Sequence, residues 1–158
     1  MPAPTARRLV AIAYAGMMAF AAMIAFSAGA SADPTPVAQI KTASGAAFVV
    51  RDGNRVAAKP GDMLFEKDVL QTDADGTIGA TFTDNTVLSL GPNSEAALSQ
   101  YNFDSNNFSG SMLTDMHKGT LTMVSGDIAR SSPSAMKVRT PTAILGVRGT
   151  SFAVQVGN

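Results

Sequence analysis

The chain has 158 residues, 12 lysine and arginine side chains against 12 aspartate and glutamate, no cysteine and a single histidine. Balanced, scattered charge excludes long-range attraction to nucleic acid or anionic lipid. The lack of cysteine excludes disulfide staples, a thiol nucleophile and a thiolate metal site, so the fold must rest on one hydrophobic core.

Residues 1–32 read as a secretory signal peptide. Arg7 and Arg8 give a positive start, an apolar run covers 9–26, and small residues close it. Ala30-Ser31-Ala32 is the expected cleavage site, with Ala32 before the cut and Asp33 after it. The apolar run is just long enough to span a bilayer, so a retained anchor is the competing reading. Its Ala- and Gly-rich composition and cleavage-like end favour removal. The expected location is periplasmic or secreted, with the membrane met only transiently through the leader.

Residues 33–39 form an extended lead-in, because Pro34 and Pro36 each bias the preceding residue away from helix. From 40 to 156 the recurring pattern is strict alternation over five to seven residues, the mark of half-buried strands. Ala46, Phe48 and Val50 share one face. Ile78, Ala80 and Phe82 repeat the pattern, followed by Thr86, Leu88 and Leu90, then Leu121 and Met123, then Met136 and Val138. Asp52-Gly53, Asp75-Gly76 and Asp84-Asn85 read as tight hairpin turns, since these residues tolerate positive φ. Pro60-Gly61-Asp62 and Gly91-Pro92-Asn93 are further turns. The stretch 102–111 (NFDSNNFSGS) is polar and β-poor and reads as a long surface loop dividing two β-rich halves. The chain closes on a Thr-Pro turn and an apolar run, then Arg148-Gly149 and a last strand with Phe152, Val154 and Val156 on one face. The expected fold is all-β, a single domain of short strands forming a sandwich, barrel or solenoid.

Catalytic chemistry finds no footing. Asp73-Ala74-Asp75-Gly76 hints at a calcium loop, but the frame puts Gln71 first and Phe82 twelfth, where a bidentate glutamate is needed. His117 has no second imidazole for a metal and no serine elbow for a triad. Asp62, Glu66 and Asp68 sit around turns, where carboxylates are more often solvated than paired for glycoside cleavage. A non-enzymatic protein without metal or cofactor is the expectation. Tyr101, Phe103 and Phe108 flank or occupy the polar stretch and are candidate contacts to a partner or a sugar. Arg148, set among apolar residues, is expected to turn inward and cap carbonyls or pair with an interior acid.

An ordered series of motifs runs through this pattern: Gly61-Asp62-Met63-Leu64, Asp68-Val69-Leu70-Gln71-Thr72, and Asp84-Asn85-Thr86 leading to Leu90-Gly91-Pro92. Lys118-Gly119-Thr120-Leu121 follows, then Thr140-Pro141-Thr142-Ala143 and Val147-Arg148-Gly149-Thr150-Ser151-Phe152-Ala153-Val154. The series resembles the FecR domain over roughly residues 40–156. The resemblance implies an all-β module, in a β-solenoid-like or sandwich arrangement, outside the cytoplasmic membrane that takes part in protein interaction or sensing. In its best-known setting the domain belongs to a transmembrane anti-sigma regulator; only eight residues precede the apolar run here, so direct control of transcription is not expected. Carried over residue by residue, the signature comprises Gly61, Asp62, Thr72, Pro92, Gly119, Thr140, Pro141, Arg148, Gly149, Thr150 and Phe152, expected to be mainly architectural. Candidate interaction residues are Tyr101, Phe103, Phe108, Phe152 and Val154, the last two on a strand expected to have an open edge. An envelope protein is the expected partner. Binding of peptidoglycan or another polysaccharide is the alternative, and service as an accessory to a membrane-anchored signalling system is a third reading.

Overall fold

A computed structural model describes residues 33–149 and 151–157. The leader, with its Ala32 cleavage position, and Thr150 lie outside the described residues. Residues 34–158 form one compact unit that contains the whole core.

The described chain is nearly all strand, as the alternation predicts. The elements are β1 (Ala38–Ser44), β2 (Ala47–Arg51), β3 (Asn54–Ala57), β4 (Met63–Leu64), β5 (Val69–Thr72), β6 (Thr77–Phe82) and β7 (Val87–Leu90). They continue as β8 (Glu95–Asp104), β9 (Ser109–Val124), a one-turn helix α1 (Asp127–Ser131), β10 (Met136–Arg139), β11 (Ile144–Gly146) and β12 (Ser151–Val156). A single curled sheet runs β3-β2-β5-β8-β9-β7-β6-β1-β4. β9 is long enough to serve both halves of the curl. Its first part pairs β8 and, in parallel, β10, which pairs β11. Its second part pairs β7 on one side and β12 on the other.

The switch between the two parts falls at Gly119, whose φ is +88°. A Cβ there would lie 2.2 Å from Ser94 Oγ and 2.5 Å from Ser94 Cα. Glycine is needed at this position both for the backbone angle and for the close approach.

Inward positions from both halves meet in one cluster. Ile40, Ile78, Leu88, Leu121 and Met123 come from one half, and Leu70, Leu98, Met116, Met136 and Val138 from the other. Each fully buried leucine or isoleucine of this kind contributes about 1.5–3 kcal/mol. The strands alternate because each has one face on this core and one on solvent.

Two sequence expectations are corrected here. The 102–111 stretch is not a long loop: β8 and β9 pair down to Asp104 opposite Ser109, leaving only residues 105–108 as a turn. Polar residues there occupy a solvent-facing ladder, and cross-strand pairing overrides their low β-propensity. β9 therefore welds together the two halves that the sequence seems to separate.

Asp75-Gly76 is likewise not a hairpin turn. It joins β5 to β6, which pair different neighbours (β2 and β8 for one, β1 and β7 for the other), so the chain turns a corner between the two halves. Asp75 Oδ1 accepts the Ala46 N–H at 3.2 Å to hold that corner. Asp52-Gly53 does close a two-residue hairpin, with φ of +50° and +79°. Asp84-Asn85 lies in the β6–β7 hairpin, where the Phe82 N–H reaches the Thr86 carbonyl at 2.8 Å.

Candidate interaction surfaces

Most of the signature residues are engaged within the fold. Pro60 and Gly61 form the centre of a turn closed by the Asp62 N–H to the Lys59 carbonyl at 3.1 Å, and Asp62 Oδ2 accepts the Lys59 N–H in return at 2.9 Å. Thr72 Oγ1 donates to the Gly91 carbonyl at 2.6 Å and accepts the Ser94 N–H at 2.9 Å. This ties β5 to the Gly91-Pro92-Asn93 turn. Ser94 Oγ in turn accepts the Thr120 N–H at 2.9 Å beside Gly119. Residues 140–143 form the β10–β11 loop. Pro141 is exposed there, while the Thr140 N–H donates to the Ala143 carbonyl at 2.8 Å and Thr140 Oγ1 accepts the Ala143 N–H at 3.0 Å.

Arg148 is a correction. It is exposed, and among the described residues its side chain makes no hydrogen bond or ion pair. The neighbour that turns inward is Val147, which is buried and donates its N–H to the Met136 carbonyl at 2.9 Å. Alternation explains the outcome: burying Val147 points Arg148 to solvent, and no interior acid has to be found for it. Gly149 has φ of +113°, and its carbonyl accepts a hydrogen bond from Ser125 Oγ.

The aromatic candidates separate. Tyr101 is buried, with its ring 5.3 Å from that of Phe82. Its hydroxyl accepts the Asp84 N–H at 3.0 Å, lies 2.8 Å from Thr83 Oγ1 and donates to Asp84 Oδ1 at 3.2 Å. Asp84, wholly buried, also accepts from Thr86 Oγ1 at 2.7 Å and from the Ile128 N–H at 3.4 Å, at the start of α1. The network is structural, and Thr83 and Tyr101 also line a cleft of about 440 Å³ together with Pro36, Glu66 and Phe103. Burial pushes the Tyr101 phenol up to about 12. Phe103 packs against the core edge and is half-buried, so of the three Phe108, 53 % exposed in the turn, is the one most presented to solvent. The Asp84 network and α1 escape sequence reading; the one available cue is the Asp84-x-Thr86 spacing, which places an acceptor two residues before a hydroxyl.

Besides the cleft at Tyr101, the open surfaces are strand edges. β12 is hydrogen-bonded to β9 along one side, Ser151 opposite Val124 through Val156 opposite Gly119. No other strand among the described residues pairs it. Phe152, Val154 and Val156 pack towards the core, while Ser151, Ala153 and Gln155 are exposed. Val154 and Phe152 thus secure the strand, and its free backbone edge is what a partner would meet. β11, at the far side of β10, is exposed throughout, including Ile144 and Leu145. A third opening, of about 450 Å³, lies between β3 and the β4 segment.

No group of three or more His, Asp or Glu side chains able to hold a metal occurs among the described residues. Nor is any described helix long and apolar enough to cross a membrane. The described region is a curled all-β module that offers backbone edges. The FecR protein family model matches residues 68–158, more than half of the chain, and the chain belongs to that family. The family is associated with the cell envelope and is not known for enzymes. No curated protein and no solved structure matches the chain significantly.

Proposed function

We propose that the protein is a non-enzymatic periplasmic module that senses or recruits a protein partner by strand pairing along the free edge of β12. The observation that supports this reading most is the one-sided pairing of β12. Its apolar side chains are committed to the core, and a row of backbone donors and acceptors is left without a ladder. Such an edge takes an added strand with main-chain hydrogen bonds supplying the affinity. Membership of an envelope-associated family supports the compartment. Recognition of peptidoglycan or another polysaccharide is less favoured, because the Tyr101 hydroxyl is committed to Asp84 and Thr83, Phe103 is half-buried, and exposed Phe108 does not line the cleft that these two share.

A photo-crosslinking residue at Gln155, with one at exposed Arg130 as control, tests the proposal in living cells. A protein adduct formed from position 155 and not from 130 is expected. Absence of an adduct at 155, together with cosedimentation of the protein with purified cell wall, would replace this reading by the polysaccharide one.

A further inference from the structure

β3 and β4 stand at the two ends of the curled sheet. In a closed barrel they would pair; here they flank the 450 Å³ cleft, with Asn54, Val56 and Ala57 on one wall and Asp62, Met63 and Phe65 on the other. Among the described residues β3 pairs only β2, and β4 only β1.

The free backbone groups on each side can be named. The two-residue turn makes Arg51 and Asn54 a hydrogen-bonded pair, and the Ala58 N–H donates to the Ala47 carbonyl at 2.9 Å. Alternation then directs the N–H and C=O of Arg55 and Ala57 away from β2, into the opening. Across it, the Met63 carbonyl faces the same opening and accepts Arg51 Nη2 at 3.0 Å. Arg51 bridges the seam at one end and leaves the rest unbridged.

The lining is apolar on the core side. Val56 shares the inward face with its partner Val49, yet it is 61 % exposed; Met63, whose neighbour Leu64 takes the core side, is 46 % exposed on the other face. Nothing among the described residues covers this end of the sheet. The rim is acidic: the Arg51 charge is taken up by Asp68, whereas Asp52 and Asp62 form no ion pair among the described residues.

We propose that this seam is a strand-insertion site for an extended segment of a partner protein, one with apolar side chains at alternate positions and lysine or arginine near Asp52 and Asp62. Two facing edges give such a segment hydrogen bonds on both sides, which neither β12 nor β11 can do alone. Val56, on the inward face, receives its apolar side chains, and the carboxylates of Asp52 and Asp62 select its charge. The site is separate from the β12 edge, so the two stand or fall independently.

The probe is the synthetic octapeptide Lys-Val-Thr-Val-Lys-Val-Thr-Val, with a twin carrying glutamate for lysine and a chitotetraose control, added to the 33–158 protein. Amide hydrogen exchange followed by NMR should slow by about tenfold or more at Arg55, Ala57 and Met63 with the lysine peptide, the size expected when a loosely held edge becomes paired. The glutamate twin should give no protection. Ala57→Pro, which removes an outward N–H from an edge strand, and Val56→Lys, which fills the seam, should each abolish protection while the melting temperature holds. Four results would overturn the proposal: no protection by the lysine peptide, protection confined to 151–156, equal protection by the glutamate twin or chitotetraose, or protection in the unliganded protein that grows with its concentration, which would make a second copy the occupant.

Discussion

Arg51 grips Asp68 through two parallel hydrogen bonds, Nε to Oδ1 at 2.8 Å and Nη2 to Oδ2 at 2.7 Å. The carboxylate is 1 % exposed and the arginine side chain 45 %, so the pair sits at the boundary between core and seam. Asp68 Oδ2 accepts a further bond from the Phe65 N–H at 2.8 Å, and the guanidinium lies over the Phe65 ring at 4.4 Å. The hydrogen bond to Asp68 is the main reason the guanidinium holds its proton more tightly than usual.

Removing the cation strands a buried charge. Arg51→Ala leaves Asp68 with the Phe65 N–H alone, and the expected cost is about 2–4 kcal/mol, somewhat below a fully buried pair because Arg51 is half exposed. Arg51→Lys should lose much of the same stability, since a point charge cannot reproduce the two-pronged geometry. Urea denaturation of both variants checks this; a loss under about 1 kcal/mol for Arg51→Ala would show the pair to be an ordinary surface contact.

Tyr101 is the next test. Its hydroxyl serves Asp84 and Thr83 inside the fold, so Tyr101→Phe should cost about 1–2 kcal/mol by leaving the Asp84 N–H without its partner. The phenol titrates at about 12 in the fold against 10.0 for the free side chain. A folded-state value above the unfolded one means the folded protein holds its proton longer. The resulting stability is complete below pH 10 and is lost as the pH rises towards 12. The 33–158 protein has Tyr101 as its only tyrosine, so absorbance at the phenolate band reads this group directly; ionisation near pH 10 in the folded protein would contradict the burial of its hydroxyl.

Much of this architecture is legible in the sequence, and the parts that are not share a cause. The runs 78–82 and 86–90 show their strands because one face of each lies on the core, so alternation in hydropathy follows the pleat. The 102–111 hairpin does not show, because Gly110 and Ser111 are admitted by their partners across the ladder, Phe103 and Asn102. The corner at Asp75-Gly76 looks the same as a hairpin in one dimension; only the pairing of β5 and β6 with different neighbours tells them apart. The seam is invisible to alternation altogether, since it is made by the two strands that are furthest apart in the order of the sheet, β3 exposed throughout and β4 only two residues long. Tyr101 and Arg148 are each placed by a neighbour, the Asp84 cradle and the burial of Val147, which residue type alone does not announce.

Acid should weaken a contact on the outer face. His117 Nδ1 and Glu95 Oε1 are 2.8 Å apart, and Gln71 Nε2 donates to Glu95 Oε2 at 3.0 Å. The hydrogen bond from His117 is the main cause of a Glu95 carboxyl that titrates below its ordinary value. A folded-state value below the unfolded one gives stability that is present above the ordinary glutamate range and is lost as the pH falls through the folded value. The pair is solvent-exposed, so His117→Ala should cost no more than about 1 kcal/mol near neutrality. The carboxyl resonance of Glu95 should move to a higher titration midpoint in that variant; an unchanged midpoint would assign the shift to Gln71 and Lys118 instead.

Arg148 and Gly149 are adjacent and should behave in opposite ways. Arg148 is exposed and without a described partner, so Arg148→Lys and Arg148→Ala should each stay within about 0.5 kcal/mol of the parent. Gly149 has open space around it, since an added Cβ would meet nothing within 4 Å, yet its φ of +113° is one that side chains resist. Gly149→Ala should therefore cost about 1–2 kcal/mol through backbone strain alone, loosening the Ser125 hydrogen bond to the Gly149 carbonyl and the register of β12 behind it. Thermal melts of the three variants check the contrast. A large loss in Arg148→Lys would place the guanidinium inside the fold and restore the interior role that its apolar neighbours suggest. A neutral Gly149→Ala would mean the chain can pass from β11 to β12 by another backbone path, leaving the edge of β12 less firmly set than its pairing with β9 implies.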